Sequence, residues 1–205
     1  MSNKNCRLCD IWNGKYINEQ FDVPFMRNDD YLAMASIGAF IEGWSLVVPR
    51  THTFSMRTYY SDPDFADFVE SVISHIKNVF HKSVLVFEHG ANTCTSETSC
   101  GTHHAHLHIV PYDGSIIEDI YEDRDWTRVG LGDIEDTVQQ NEYLLYSDNF
   151  NSFKTATFNI HILKKEESQY FRRLLGTKIG IDDYSYKTAP YIEKTIHGAT
   201  LLKGE

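Results

Sequence analysis

The run Gly101-Thr102-His103-His104-Ala105-His106-Leu107-His108-Ile109-Val110-Pro111 constrains this chain more than any other segment. His104, His106 and His108 alternate with Ala105, Leu107 and Ile109. Successive side chains of a strand point to opposite faces. As a strand, the segment puts three imidazoles on one face and three apolar groups on the other. A packed face and a chemical face then come from one short piece of chain. Pro111 has no backbone donor, so the ladder is expected to end there.

With 205 residues, 41% hydrophobic and 13% aromatic, the chain can bury one good core, with a substantial appendage. A formal net charge of −10 excludes broad nucleic-acid wrapping, which needs a basic surface. It leaves room for a small anionic ligand at a local site. No apolar run suits secretion or membrane spanning, so a soluble, cytoplasmic protein is expected. In that setting Cys6-Arg7-Leu8-Cys9 reads as a metal or redox feature rather than half of a disulfide framework.

Along the chain, Trp12-Asn13-Gly14 marks a turn, and residues 21–28 and 30–35 read as a hairpin around Asn28-Asp29. Trp44 to Pro49 is an apolar run of strand length, with Arg50-Thr51-His52 at its mouth. Asp62-Pro63 signals a helix start. Phe65, Phe68, Val69, Val72, Ile73, Ile76, Val79 and Phe80 then recur at helical spacing. His75 and His81 read as surface residues. Ser83 to Glu88 is a strand, and 91–102 a polar loop holding the loop thiols Cys94 and Cys100. Beyond Pro111 the chain is acidic and turn-rich. It offers a short helix at 134–140, strands at 142–146 and 155–163, and helices from Ser168 and near 191–196. The expected organisation is a domain over 1–112 and a folded extension over 113–205 docked on it.

Three chemistries suit His-x-His-x-His. The imidazoles could bind a catalytic metal. One could attack phosphorus while its neighbours position phosphate oxygens. The cluster could also be only a polar edge, which five histidines between residues 89 and 108 argue against.

His104 to Val110 resembles the His-φ-His-φ-His-φ-φ signature of the histidine triad (HIT) family, where φ is apolar. Leu46-Val47-Val48-Pro49-Arg50-Thr51-His52 resembles that family's strand, proline, basic residue and histidine. Cys6-Arg7-Leu8-Cys9 is placed like the Cys-x-x-Cys of many members. The similarity covers roughly residues 6–112. It implies an α+β, HIT-like fold, a mainly antiparallel sheet with packed helices, and often a homodimer. It also implies a nucleotidyl hydrolase or transferase acting on a nucleoside phosphoanhydride, phosphoramidate or ester. His106 takes the nucleophile's position, and His108 orders the nucleophile and the phosphate. Ser99 and Thr102 are the candidates for stabilising phosphoryl oxygens. By resemblance to zinc-containing members, Cys6, Cys9, His52 and His104 would hold a structural zinc; no organic cofactor is implied.

The chain departs from the family pattern in two places. Ser99-Cys100 stands where a Gly-Gln pair lies before the triad, and Ser36 falls at the acidic position that holds the ribose hydroxyls. His103 is an extra imidazole on the opposite face by strand parity. Ser168 to Arg173 resembles a carboxyl-terminal piece of longer bacterial-type relatives, where Arg172 and Arg173 would meet a polyphosphate tail or simply lie in water. Two alternatives stay open beside the nucleotidyl enzyme: a metal-dependent hydrolase using the histidines as ligands, and a nucleotide-binding or sensing module with little turnover.

Overall fold

The computed structural model describes residues 6–99, 101–148 and 150–205. Cys100, one of the two expected loop thiols, lies outside the described residues. The elements run in order α1 (Arg7–Trp12), α2 (Glu19–Asp22), β1 (Met26–Arg27), β2 (Tyr31–Ala35), β3 (Ser45–Pro49), α3 (Pro63–Phe80), β4 (Val84–Gly90) and β5 (Leu107–Pro111). The second half adds α4 (Ile117–Asp123), β6 (Thr127–Gly130), α5 (Ile134–Val138), β7 (Tyr143–Ser147), β8 (Thr157–Ile162), α6 (Tyr170–Ile179) and α7 (Ile192–Lys203). The fold is α+β. The strands form one sheet in the order β1-β2-β3-β5-β4-β7-β8-β6, and every pairing is antiparallel. β4 pairs with β7, so strands of both halves of the chain belong to the same sheet. Among the described residues, no helix is long and apolar enough to cross a membrane.

The α3 helix starts where the sequence places it. The Asp62 side chain accepts from the Asp64 N–H, and Pro63 occupies the first turn. Its stripe of Phe65, Phe68, Val69, Val72, Ile73 and Ile76 packs with Val47, Val86, Leu107 and Ile109 on one face of the sheet. Each such fully buried side chain stabilises the fold by ~1.5–3 kcal/mol. The opposite face carries two separate clusters. One gathers Leu8, Ile11 and Trp12 of α1 on Leu32, Met34, Leu46 and Val48. The other gathers Tyr170, Phe171 and Leu175 of α6 on Trp44, Phe87, Val110 and Tyr146. The triad lies along the seam between them.

The structure corrects several expectations. The strand does not begin at His104: β5 starts at Leu107, and the chain before it is drawn away from the ladder. The Ala105 N–H donates to the Thr53 carbonyl at 2.7 Å, while His104 turns toward the cysteines. His103 takes a left-handed conformation, φ 49°, rather than a place on a strand face. The expected hairpin forms, with β1 pairing antiparallel to β2, but its first strand is only Met26–Arg27. Phe21 and Asp22 instead end α2, which Asn18 caps, and Asp22 accepts the Ile17 and Asn18 N–H groups at 2.9 Å. α7 is longer than 191–196. His75 is half-buried, with Nε2 donating to the Leu202 carbonyl at 2.8 Å. α4 and β6, in the acidic stretch, had no clear apolar period to announce them.

On the α3 face, Glu88 ties three segments together. Its carboxyl group accepts from the Met56 N–H at 2.6 Å, the Tyr60 hydroxyl at 2.6 Å and the Tyr143 hydroxyl at 2.7 Å. Burial pushes this carboxyl up from its ordinary pKa despite the three donors. Replacing it with alanine strands all three. Urea unfolding is expected to show Glu88→Ala losing on the order of 3 kcal/mol, and Glu88→Gln losing less because an acceptor remains.

Candidate active site and metal centre

Cys6 is the N-cap of α1 and Cys9 lies three residues on, so one helical turn points both sulfurs the same way. The Cys9 N–H donates to the Cys6 Sγ at 3.5 Å. Arg7 pairs with the buried carboxylate of Asp22, which pins the helix. His52 arrives from the loop after β3, and His104 from the segment before β5. Cys6 Sγ lies 3.4 Å from His104 Nδ1, and Cys9 Sγ lies 3.3 Å from His52 Nδ1 and 3.5 Å from His104 Nδ1. The four ligand atoms all fall within 4.8 Å of one another.

This donor set fits a metal ion. Bonds of about 2.3 Å to sulfur and about 2.0 Å to nitrogen put S and N about 3.5 Å apart around a tetrahedral centre. His104 Nε2 is 2.9 Å from the Pro49 carbonyl, which can only accept. Nε2 therefore carries the hydrogen, and the Nδ1 lone pair faces the thiols, the arrangement typical of a ligating imidazole. Burial lowers the pKa of His104 to about 4 and also lowers that of His52, so both are neutral, the ligating form. Four protein donors fill a tetrahedron, and His106 and His108 stand outside it.

The same reasoning fixes the tautomers of the other two. His106 Nδ1 lies 2.8 Å from the carbonyl oxygen of His104. Its hydrogen is thus on Nδ1 and its lone pair on Nε2. Trp44 Nε1–H donates to His108 Nδ1 at 2.9 Å, so His108 carries its hydrogen on Nε2. The His106 and His108 rings meet edge to face with centroids 4.7 Å apart, and His108 stacks on Phe87 at 4.3 Å. Burial holds both imidazoles below the usual pKa, His108 well below, with the charges of His106, His89 and Arg172 adding to the effect there.

These rings face a cavity of about 240 Å³. Arg7, Leu8 and Leu46 line it on the α1 side, and Ser36 and Ile37 on another. Thr102 lines it too; its hydroxyl donates to the Ser99 carbonyl at 3.0 Å and lies 3.5 Å from His106 Nδ1. Ser99 sits behind that wall. Its hydroxyl donates to the Ser96 carbonyl at 2.9 Å and lies 3.2 Å from His103 Nδ1.

The C-terminal half supplies the remaining wall, Arg172 and Tyr186. Arg173 is half-exposed and pairs with Glu167, but Arg172 is not in water: it is 4% exposed. Its Nε donates to the Tyr184 carbonyl at 3.0 Å, and a second nitrogen donates to the Gly38 carbonyl. Its guanidinium lies 4.6 Å from the centre of the Trp44 ring. Tyr186 fits because its neighbours are glycines. A Cβ on Gly38 would lie 2.4 Å from Tyr186 Cβ, and one on Gly101 would lie 3.2 Å from its hydroxyl. Both glycines have positive φ.

No family profile and no curated protein matches the sequence. Several solved structures are similar to it. A HIT-like protein from Bartonella henselae is 19% identical over 54% of this chain and 79% of its own, with a TM-score of 0.41. A zinc-bound histidine triad family protein from Mycobacterium smegmatis is 21% identical over 54% of this chain and 76% of its own, with a TM-score of 0.39. A hypothetical histidine triad nucleotide-binding protein from Sulfolobus tokodaii is 18% identical over 95% and 94%, with a TM-score of 0.38. These structural neighbours are histidine triad proteins.

The sequence pointed to Cys6, Cys9, His52 and His104, and the structure gathers these four. The sequence does not single out Trp44 as a partner, although it stands just before β3 and two residues from Leu46, which pairs with His108. Tyr186 had no signal, since it reaches the cavity from a loop. Trp44→Phe removes the hydrogen that fixes His108. Nitrogen-15 NMR is expected to show His108 as the Nε2–H tautomer in the parent protein and as a mixture in the variant.

Proposed function

We propose that this protein is a nucleotidyl hydrolase or transferase working through a nucleotidyl-histidine on His106. The observation that carries this reading is the 2.8 Å bond from His106 Nδ1–H to the His104 carbonyl. It leaves the Nε2 lone pair of a neutral imidazole directed at the cavity, as a nucleophile requires. In the proposed first step Nε2 attacks the α-phosphorus of a nucleoside phosphoanhydride, phosphoramidate or ester. An N–P bond forms, and the bond to the leaving group breaks with its electron pair. Water or another acceptor then attacks the same phosphorus, and His106 leaves with the pair it donated. The His108 Nε2–H would donate to a phosphoryl oxygen. Thr102, braced by Ser99, would add a hydroxyl.

Residues 1–112 would carry this machinery, and 113–205 would close the cavity with Arg172 and Tyr186. Cys6, Cys9, His52 and His104 would hold zinc, which in a closed tetrahedral site supplies folding energy and orientation rather than a reacting water. His104 would pass that orientation to His106 through its carbonyl. Because His106 and His108 lie outside the four-donor set and, among the described residues, no carboxylate joins it, the nucleotidyl reading is favoured over a metal-dependent hydrolase.

Two measurements test this. Metal analysis is expected to find about one zinc per chain, with Cys9→Ser losing the metal and melting at lower temperature. On a panel of nucleoside phosphoramidates and dinucleoside polyphosphates, His106→Asn is expected to lose on the order of 10³-fold or more in kcat. That variant should still bind nucleoside monophosphate. Full activity of His106→Asn on every substrate that the parent protein turns over would overturn the assignment.

A further inference from the structure

His89 lies on β4 two residues beyond Phe87, and Phe87 pairs with His108 across the β4–β5 ladder. Side chains two apart share a face. His89 is therefore on the triad's side of the sheet, just beyond the pair with His108, and it lines the same cavity as His106 and His108. Its ring stands edge-on to Phe87 at 5.8 Å and Phe171 at 5.2 Å, which fixes its plane. Both ring nitrogens are buried, and among the described residues neither has a hydrogen-bond partner.

That sets His89 apart from the triad. Each triad imidazole has one nitrogen held by a protein group: the Pro49 carbonyl, the His104 carbonyl, or the Trp44 indole. Buried polar groups are almost always satisfied, and the exceptions call for an explanation. A core histidine kept only for packing would be better replaced by a third aromatic hydrocarbon. Burial, with the nearby charges of His106 and Arg172, lowers the His89 pKa to about 3. The ring is thus neutral, with one N–H to give.

We propose that His89 binds the ligand directly, donating its N–H to a non-bridging oxygen of the phosphoryl group that His106 attacks. The assignment rests on the nucleotidyl reading of His106. His89 and His106 line one cavity, and the charge of His106 acts on the His89 ring. A phosphorus in contact with His106 therefore has its oxygens in the compartment that His89 faces. Those oxygens gain negative charge as the fifth bond forms, so the donor counts for more in the transition state than in the bound substrate.

The test uses the full chain, a nucleoside 5′-phosphoramidate for turnover and adenosine monophosphate for binding. His89→Phe keeps a ring between Phe87 and Phe171 and removes both nitrogens. It is expected to lower kcat about a hundredfold while the monophosphate Kd rises much less, with a melting temperature at or above the parent value. His89→Gln, which restores an N–H, is expected to recover part of kcat. If the parent protein turns substrate over and His89→Phe stays within twofold of it, the inference is wrong and the nucleotidyl reading stands. If His89→Phe melts lower and His89→Gln restores nothing, His89 is a packing residue and the inference is again overturned. If the parent protein neither turns over nor binds the nucleotide, the nucleotidyl reading fails and the His89 assignment falls with it.

Discussion

His104 is the residue on which the rest of the site depends. Its Nε2–H is taken by the Pro49 carbonyl at the end of β3, its Nδ1 faces two sulfurs, and its own carbonyl holds His106. One residue thereby joins the N-terminal turn, the centre of the sheet and the chemical segment. None of these three contacts is strong in water. Each is made in a buried setting, where a polar group that loses its partner costs more than the bond itself gains. The geometry is therefore cooperative: displacing the α1 thiols or the Pro49 carbonyl also turns the ring beside His106.

The sheet makes that arrangement possible by giving its two faces different duties. On one, α3 makes a continuous apolar layer, with the Glu88 acceptor set into it. On the other, the apolar cover is split between α1 and α6, and the cavity occupies the gap. β5 serves both faces at once, with Leu107 and Ile109 in the first layer and His108 looking into the second. A short segment can be rigid and reactive together because its reactive side chains share a backbone with its most buried ones.

Much of this was legible because it depends on local periodicity. The α3 stripe, the proline that ends β3, and the order of cysteines, loop histidine and triad are all written in residue spacing. Strand alternation correctly put Leu107 and Ile109 opposite His108. Alternation also holds at Ala105, which packs with Leu107 and Ile109. The regular strand stops short of His104, because long-range partners at Cys6, Cys9 and Thr53 compete with the ladder and spacing carries no record of them. The burial of Arg172 is hidden in the sequence for a related reason. An arginine on an amphipathic helix reads as solvated unless the rings of Phe40 and Trp44 are known to surround it. Tyr186 could not be foreseen, since a loop side chain gains its place only from the glycines it meets.

Those glycines bear on the order in which the site is assembled. His108 on β5 and His106 just before it belong to the first half of the chain, and the ladder joining β3, β5 and β4 needs nothing synthesised after Pro111. The wall made by Arg172 and Tyr186 cannot seat until the last part of the chain has folded across Gly38 and Gly101. The amino-terminal part leaves the ribosome first. On a nascent chain the residues that carry the histidines are thus available before the wall that encloses them, and two missing Cβ atoms leave the clearance for that wall.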